Sequence, residues 1–246
     1  MDGTPYSGRS LRRLEDARFL TGRGRYVDDI DLPGQLWLQV LRSPHAHAAI
    51  ESIDIAAAGA MPGVHGVFTS ADLANLGALP CPFDLPMVEP LIVPPRYALA
   101  RDRVRHVGDP VAFLVADTRV QAQDAAEQVA VAYRTLPAVV DGRAALAPDA
   151  PLLWDQAPGN RVFRFQKGDR AAVDAAFAAA AHVVAIDLVN NRVVPAPIEP
   201  RAAIARYDAA ADSLHLLLTG QGVHGIRDHL AQVLNLTPER LQLESP

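Results

Sequence analysis

Proline does more than any other feature to divide this chain. Of its 20 prolines, six fall at 80, 82, 86, 90, 94 and 95. Each removes a backbone donor and restricts the residue before it, so no regular element is expected across 77–98. Two smaller clusters follow, at 148, 151 and 158 and at 195, 197 and 200. The stretches between the clusters carry the periodic apolar patterns. They must therefore supply the helices and strands.

In the first stretch, residues 35–42 and 50–55 read as strands between turn residues. Residues 56–61 read as a helical turn ended by Pro62-Gly63, and 64–69 as a strand. Thr69 or Ser70 is expected to cap a short helix over 71–76. Beyond the first proline cluster, residues 104–116 read as a tight turn feeding a buried strand. Thr118 is placed to cap a helix over 119–130 with an apolar stripe, followed by a strand at 129–133. Residues 141–161 are irregular, and the composition shift marks a domain boundary. Residues 170–181 then form an alanine-rich helix, and 182–188 a strand. A hairpin joins 204–207 to 214–219. A helix over 224–234 and a strand at 241–243 complete the pattern. Strands and helices mixed in this way give an α+β fold class.

Composition narrows the function. The charge is −5, and 21% of residues are charged. A nucleic-acid footprint would need a basic face. The arginines at 9, 12, 13, 18, 23 and 25 are interrupted by Glu15, Asp16, Asp28 and Asp29, so a solvated or salt-bridged surface is expected. Residues 1–17 read as a mobile lead-in. Cys81 is the only cysteine, which excludes an intrachain disulfide and a cysteine-ligated iron–sulfur cluster. The first 20 residues hold no apolar core of a signal peptide, and no window approaches a membrane span. A cytoplasmic location is the expectation.

Generic enzyme motifs are absent, including the P-loop, GxSxG, HExxH and GxGxxG. His45 and His47 would share a face on a strand, with both rings partly exposed at its end, but no third ligand converges on them. His224 and His229 lie five apart on the expected helix and point to different faces. Neither pair reads as a metal site. Glu199 and Arg201 flank Pro200 on a stiff segment that could orient a ligand, and spacing alone favours a structural ion pair. Gln221-Gly222 stands at a strand-to-helix junction, where glycine admits close approach and a helix N-terminus favours anions. A turn glutamine is the plainer reading of that pattern.

Taken together, these segments carry a resemblance. Residues 18–50 (RFLTGRGRYVDDIDLPGQLWLQVLRSPHAHAAI) and 107–141 (VGDPVAFLVADTRVQAQDAAEQVAVAYRTLPAVVD) resemble the two halves of one domain. It is the a/b hammerhead domain of xanthine dehydrogenase and aldehyde oxidase large subunits, a family that includes carbon monoxide dehydrogenase large chains. Residues 190–208 (NNRVVPAPIEPRAAIARYD) and 218–241 (LTGQGVHGIRDHLAQVLNLTPERL) resemble the start of its molybdopterin-binding domain.

The resemblance implies a hammerhead domain over 18–145 and a truncated start of the molybdopterin-binding domain over 146–246. It implies a molybdenum hydroxylase whose metal is held by a pyranopterin, in the cytosine dinucleotide form. Gln221 matches the family's glutamine beside the metal's oxo ligand, Gly222 shares the cofactor-proximal turn, and Glu199 and Arg201 match a motif of supporting role. The later glycine-rich loop, the other pterin-binding segments and the general-base glutamate have no counterpart here. No residue is assigned as catalytic or as a metal ligand. Cofactor binding is thus expected only with the missing portion, and iron–sulfur clusters and FAD are expected on other domains or subunits. The expected substrate is a small aldehyde, a heterocycle or a molecule like carbon monoxide. The alternatives are a non-catalytic hammerhead interaction module or remnant, and a small-molecule binder using the 77–98 loop.

Overall fold

The computed structural model describes residues 8, 10–83, 89–191 and 193–246. Most of the 1–17 lead-in and the centre of the 77–98 loop thus lie outside the described residues. The chain divides into two compact units.

The larger unit comprises Gly34–Val194 with Asp228–Thr237. Its most buried strand is β5 (Pro110–Ala116), and the sequence explains why. Val111, Ala112, Leu114 and Ala116 are inaccessible to solvent, so both faces of this apolar run are covered. A strand apolar on both sides belongs in the middle of a sheet. β5 indeed lies between β1 (Trp37–Arg42) and β3 (Val64–Thr69), antiparallel to both. Phe68 pairs with Phe113 across the ladder, and their rings stack at 4.9 Å. A second antiparallel sheet has β2 (Ala48–Asp54) between β4 (Arg103–Val104) and β6 (Ala130–Thr135).

Helix α3 (Arg119–Glu127) starts where Thr118 accepts a hydrogen bond from the Gln121 amide at 3.2 Å. It buries Ala122, Ala125 and Ala126, small side chains that bring its axis close to the sheet. Ala125 and Ala126 join Ala58 of α2 (Ala56–Gly59), Leu114 and Val129 in one core cluster. A second cluster of Ala48, Val104 and Val111 links the two sheets through Ile53 and Val131. The expected tight turn before β5 is present. Gly108 adopts φ +86°, its amide donates to the Ser43 carbonyl at 2.8 Å, and Ser43 returns a bond to Asp109 at 2.9 Å.

Two expectations in this unit are corrected. Residues 71–76 form consecutive turns rather than a helix: Thr69 and Asp72 make the bonds of a helix start, but the amides of Asp72, Ala74 and Leu76 reach only the carbonyls three residues back, at Thr69, Ala71 and Leu73. Residues 182–188 form no ladder, and no strand lies alongside them among the described residues. Helix α4 (Arg170–Ala179) forms as expected, capped by Asp169 accepting from Ala172 at 3.0 Å, but none of its residues is buried.

The smaller unit comprises the residues before Gly34 with Pro195–Arg227 and Pro238–Pro246. It holds helix α1 (Asp16–Leu20) and a sheet ordered β7 (Ala203–Asp208), β8 (Ser213–Leu218), β9 (Leu241–Glu244). β7 and β8 make the expected hairpin. Its turn is set by Asp208, whose carboxylate accepts from the amides of Ala210 and Ala211 at 2.9 and 3.1 Å. β8 and β9 are parallel, which requires a crossover, and α5 (Val223–Leu234) supplies it. The arginine cluster behaves as expected where it is described: Arg18 pairs with Glu15 at 2.7 Å on the surface. Among the described residues, no helix is long and apolar enough to cross a membrane.

Candidate functional site

The β8–α5–β9 unit places Gln221 and Gly222 between the end of a strand and the start of a helix. In such units the carboxyl ends of the strands and the helix N-terminus face the same opening, where backbone N–H groups are left without intrahelical partners. Gly220 sits between Leu218 and Ile226, against which any side chain would press. Gly222 adopts φ +77°, in the left-handed region that favours glycine, and the space where a side chain would stand is open. Gln221 and Gly222 are both exposed.

Two further segments are tied to this turn. The Thr219 hydroxyl donates to the Pro200 carbonyl at 3.0 Å, and the Thr219 amide donates to Ala202 at 3.0 Å. The Ser245 hydroxyl donates to the Gly220 carbonyl at 3.1 Å. Glu199 and Arg201 are thereby held beside the turn that carries Gln221. Glu199 is half-buried and Arg201 exposed, and among the described residues no ion pair joins them. The plainer reading, a structural salt bridge, is not realised. All four residues singled out from the sequence therefore collect at one end of one small sheet.

The donor set is polar and includes no metal ligands. No group of three or more His, Cys, Asp or Glu side chains that could hold an ion is found among the described residues. The turn offers one amide side chain and glycine backbone over an open space. That fits hydrogen bonding to one edge of a polar organic cofactor and does not fit its enclosure.

His45 and His47 make contacts within the fold. His45 and His47 lie in the bend after β1, not on a strand. His47 is buried rather than partly exposed, its Nδ1 lying 2.8 Å from the Pro137 carbonyl. The His45 ring meets Tyr133 edge-on at 4.8 Å.

The larger unit also has a cleft of about 440 Å³, which sequence reasoning missed. It is lined by Tyr97, Arg101, Arg103, Arg105 and Trp154 among others. The signal was the alternation of arginine at 101, 103 and 105, which puts three guanidinium groups on one side of an extended segment. Their charges are committed to the fold. Arg105 lies 3.7 Å over the Trp154 ring, donates to the Leu153 carbonyl at 3.1 Å and faces Asp102. Burial lowers its pKa, and Asp102 opposes that shift. Arg103 pairs with Asp102 and Asp155, and Arg101 stacks on Tyr97.

Comparison with known proteins decides the family. Residues 21–137 match the a/b hammerhead domain of aldehyde oxidase and xanthine dehydrogenase, and residues 153–246 match the molybdopterin cofactor-binding domain. The chain belongs to the xanthine dehydrogenase and aldehyde oxidase family. Among similar family members, the carbon monoxide dehydrogenase large chain of Afipia carboxidovorans is 38% identical over 97% of this chain and 30% of its own length. The nicotine 6-hydroxylase large subunit of Paenarthrobacter nicotinovorans is 38% identical, with 97% of this chain and 29% of that one covered. The crystal structure of quinoline 2-oxidoreductase from Pseudomonas putida superimposes with a TM-score of 0.83 at 37% identity, covering 97% of this chain and 30% of that one. The chain thus spans under a third of the length of each of these three proteins. Its fold is the hammerhead domain followed by the start of a molybdopterin-binding domain, as the resemblance implied.

Proposed function

We propose that this chain contributes the hammerhead domain and one wall of the cofactor site to a molybdenum hydroxylase large subunit. The observation that carries this is the Gln221-Gly222 turn, exposed at the carboxyl end of β8, with the 199–201 segment tied to it through Thr219 and Pro200. The match of residues 153–246 to a molybdopterin cofactor-binding domain supports the same reading.

When bound, the molybdenum–pterin group, in its cytosine dinucleotide form, supplies the chemistry that transfers water-derived oxygen to a small aldehyde, a heterocycle or a carbon monoxide-like substrate. The residues of this chain do the positioning. The Gln221 side chain presents an amide donor toward the cofactor's polar edge. Gly222 lets backbone approach that edge without a side chain in the way, and the first turn of α5 favours negative charge beside it. Glu199 and Arg201, on a backbone stiffened by prolines, buttress the turn.

The remaining walls of the site, the general base, the iron–sulfur clusters and the FAD belong to further polypeptide. That polypeptide is the rest of a large subunit and its companion subunits, and the assembly works in the cytoplasm. The test is co-expression of the chain with the part of a family large subunit it does not match, with molybdenum and pterin assayed in the purified complex. A complex without either would overturn the reading and leave a non-catalytic interaction module.

A further inference from the structure

The arginine-lined cleft of the larger unit has no part in the function proposed above. It measures about 440 Å³, and its walls come from within residues 95–109 and from Leu153 and Trp154. Sites for small organic molecules usually measure about 300–1,000 Å³. The proline-rich 77–98 segment supplies Arg96 and Tyr97 to one wall.

The charge of the cleft runs against that of the chain, which carries −5 overall. Four guanidinium groups, of Arg96, Arg101, Arg103 and Arg105, line it with the two carboxylates of Asp102 and Asp109. Those carboxylates are already engaged. Asp102 faces Arg103 and Arg105 at 3.3 and 3.5 Å, and Asp109 accepts from the Arg105 amide at 2.9 Å. The four arginines therefore divide into two kinds. Arg103 and Arg105 have acceptors within the fold, Arg105 also donating to the Leu153 and Arg103 carbonyls, each at 3.1 Å. The side chains of Arg96 and Arg101 have no carboxylate or carbonyl acceptor among the described residues. The Tyr97 ring holds the Arg101 guanidinium at 3.3 Å, but a ring engages only the flat face of that group. Its N–H donors lie in the plane, as a fork that matches a carboxylate or a phosphate.

The backbone under these groups is pinned. The Ala100 amide donates to the Pro110 carbonyl at 2.8 Å, and the Ile50 amide donates to the Asp102 carbonyl at 2.9 Å. These bonds tie the segment to β5 and β2. A binding surface that is already ordered loses less freedom when a ligand arrives.

We infer that this cleft binds a small organic anion, its carboxylate or phosphate held by Arg96 and Arg101 and its apolar body set against Leu153 and Trp154. The inference does not rest on the function proposed above. The dimensions favour a small molecule over an acidic peptide, because a stable protein partner covers about 800 Å² on each side. A nucleic acid would need a longer basic face.

The test titrates the full chain with phenyl phosphate and with benzoate, which carry the two anionic groups on the same ring. Benzyl alcohol is the uncharged control. Saturable shifts of the amides of 96–105 and of the Trp154 indole N–H are expected with at least one anion and with no alcohol. The stronger of the two anions tells phosphate from carboxylate. By calorimetry, Arg96→Gln and Arg101→Gln should each weaken binding at least about fivefold. Arg96 is exposed, so its variant should melt like the wild type and decides the matter even if Arg101→Gln disturbs the Tyr97 stack. No saturable binding of either anion, equal binding of benzyl alcohol, shifts confined to the Gly222 turn, or undiminished binding by Arg96→Gln would each overturn the inference. Binding of a hexaglutamate peptide with neither small anion would overturn it too, and would assign the cleft to a protein partner.

Discussion

The hydroxyl of Thr219 donates to the carbonyl of Pro200 at 3.0 Å, and this bond joins the two halves of the candidate site. One half is the proline-stiffened segment bearing Glu199 and Arg201, and the other is the turn bearing Gln221. Thr219→Val keeps the shape and removes the donor. The expected cost is about 0.5–1.5 kcal/mol. Hydrogen exchange at the amide of residue 219, which donates to the Ala202 carbonyl, should accelerate while that of the β7–β8 ladder is unchanged. Unaltered exchange would mean that the bond does not hold the segment.

Gly222 predicts a different pattern. Its φ of +77° is strained for residues with a side chain, while the space around it is open. Gly222→Ala should therefore destabilise through backbone alone, by about 1–2 kcal/mol. Gly222→Asn should lose less, because asparagine tolerates the left-handed region. Equal losses in thermal melts would point to a steric cause instead.

The core of the larger unit predicts a contrast between two leucines. Leu114 is fully buried and Leu38 is 57% exposed. Leu114→Ala should cost about 2–5 kcal/mol in urea denaturation. Leu38→Ala should stay within about 0.5 kcal/mol of wild type. Similar values for the two would contradict the central placement of β5.

Acid should loosen the β7–β8 turn. The amides of Ala211 and Ala210 hold the Asp208 carboxyl below its ordinary pKa. A depressed folded pKa gives stability that is present above the unfolded value, near pH 4, and lost as pH falls through the folded value. Protection of the Ala210 and Ala211 amides, measured against their intrinsic exchange rates, should therefore fall below about pH 4. Asp208→Asn should remove that dependence. A variant that kept the full acid response would assign it to another carboxyl.

What the sequence disclosed follows the locality of the forces. β5, the Thr118 cap and the β7–β8 hairpin were legible because their apolar periodicity and turn residues act within a few positions. The clustering of Glu199, Arg201 and Gln221 was not legible from pattern, because it depends on Thr219 reaching Pro200 across the end of the sheet. The strand expected at 182–188 illustrates the opposite limit. Its sequence is that of a strand, but a strand exists only with a partner, and none lies alongside it among the described residues. The helix expected at 71–76 stopped at successive turns closed three residues back, although Asp72 and Thr69 make the bonds of a helix start. The burial of His47 against Pro137 depended on residues 90 positions apart.

Gln221 is the residue on which the functional account depends most. It sits at the one place where strand end, helix start, Pro200 segment and Ser245 meet. The decisive measurement is the molybdenum and pterin content of the complex between this chain and the remainder of a family large subunit, compared with the same complex carrying Gln221→Ala. Metal and pterin are expected in the wild-type complex, none in the chain alone, and a reduced load in the variant. A stable wild-type complex holding neither molybdenum nor pterin would contradict that expectation.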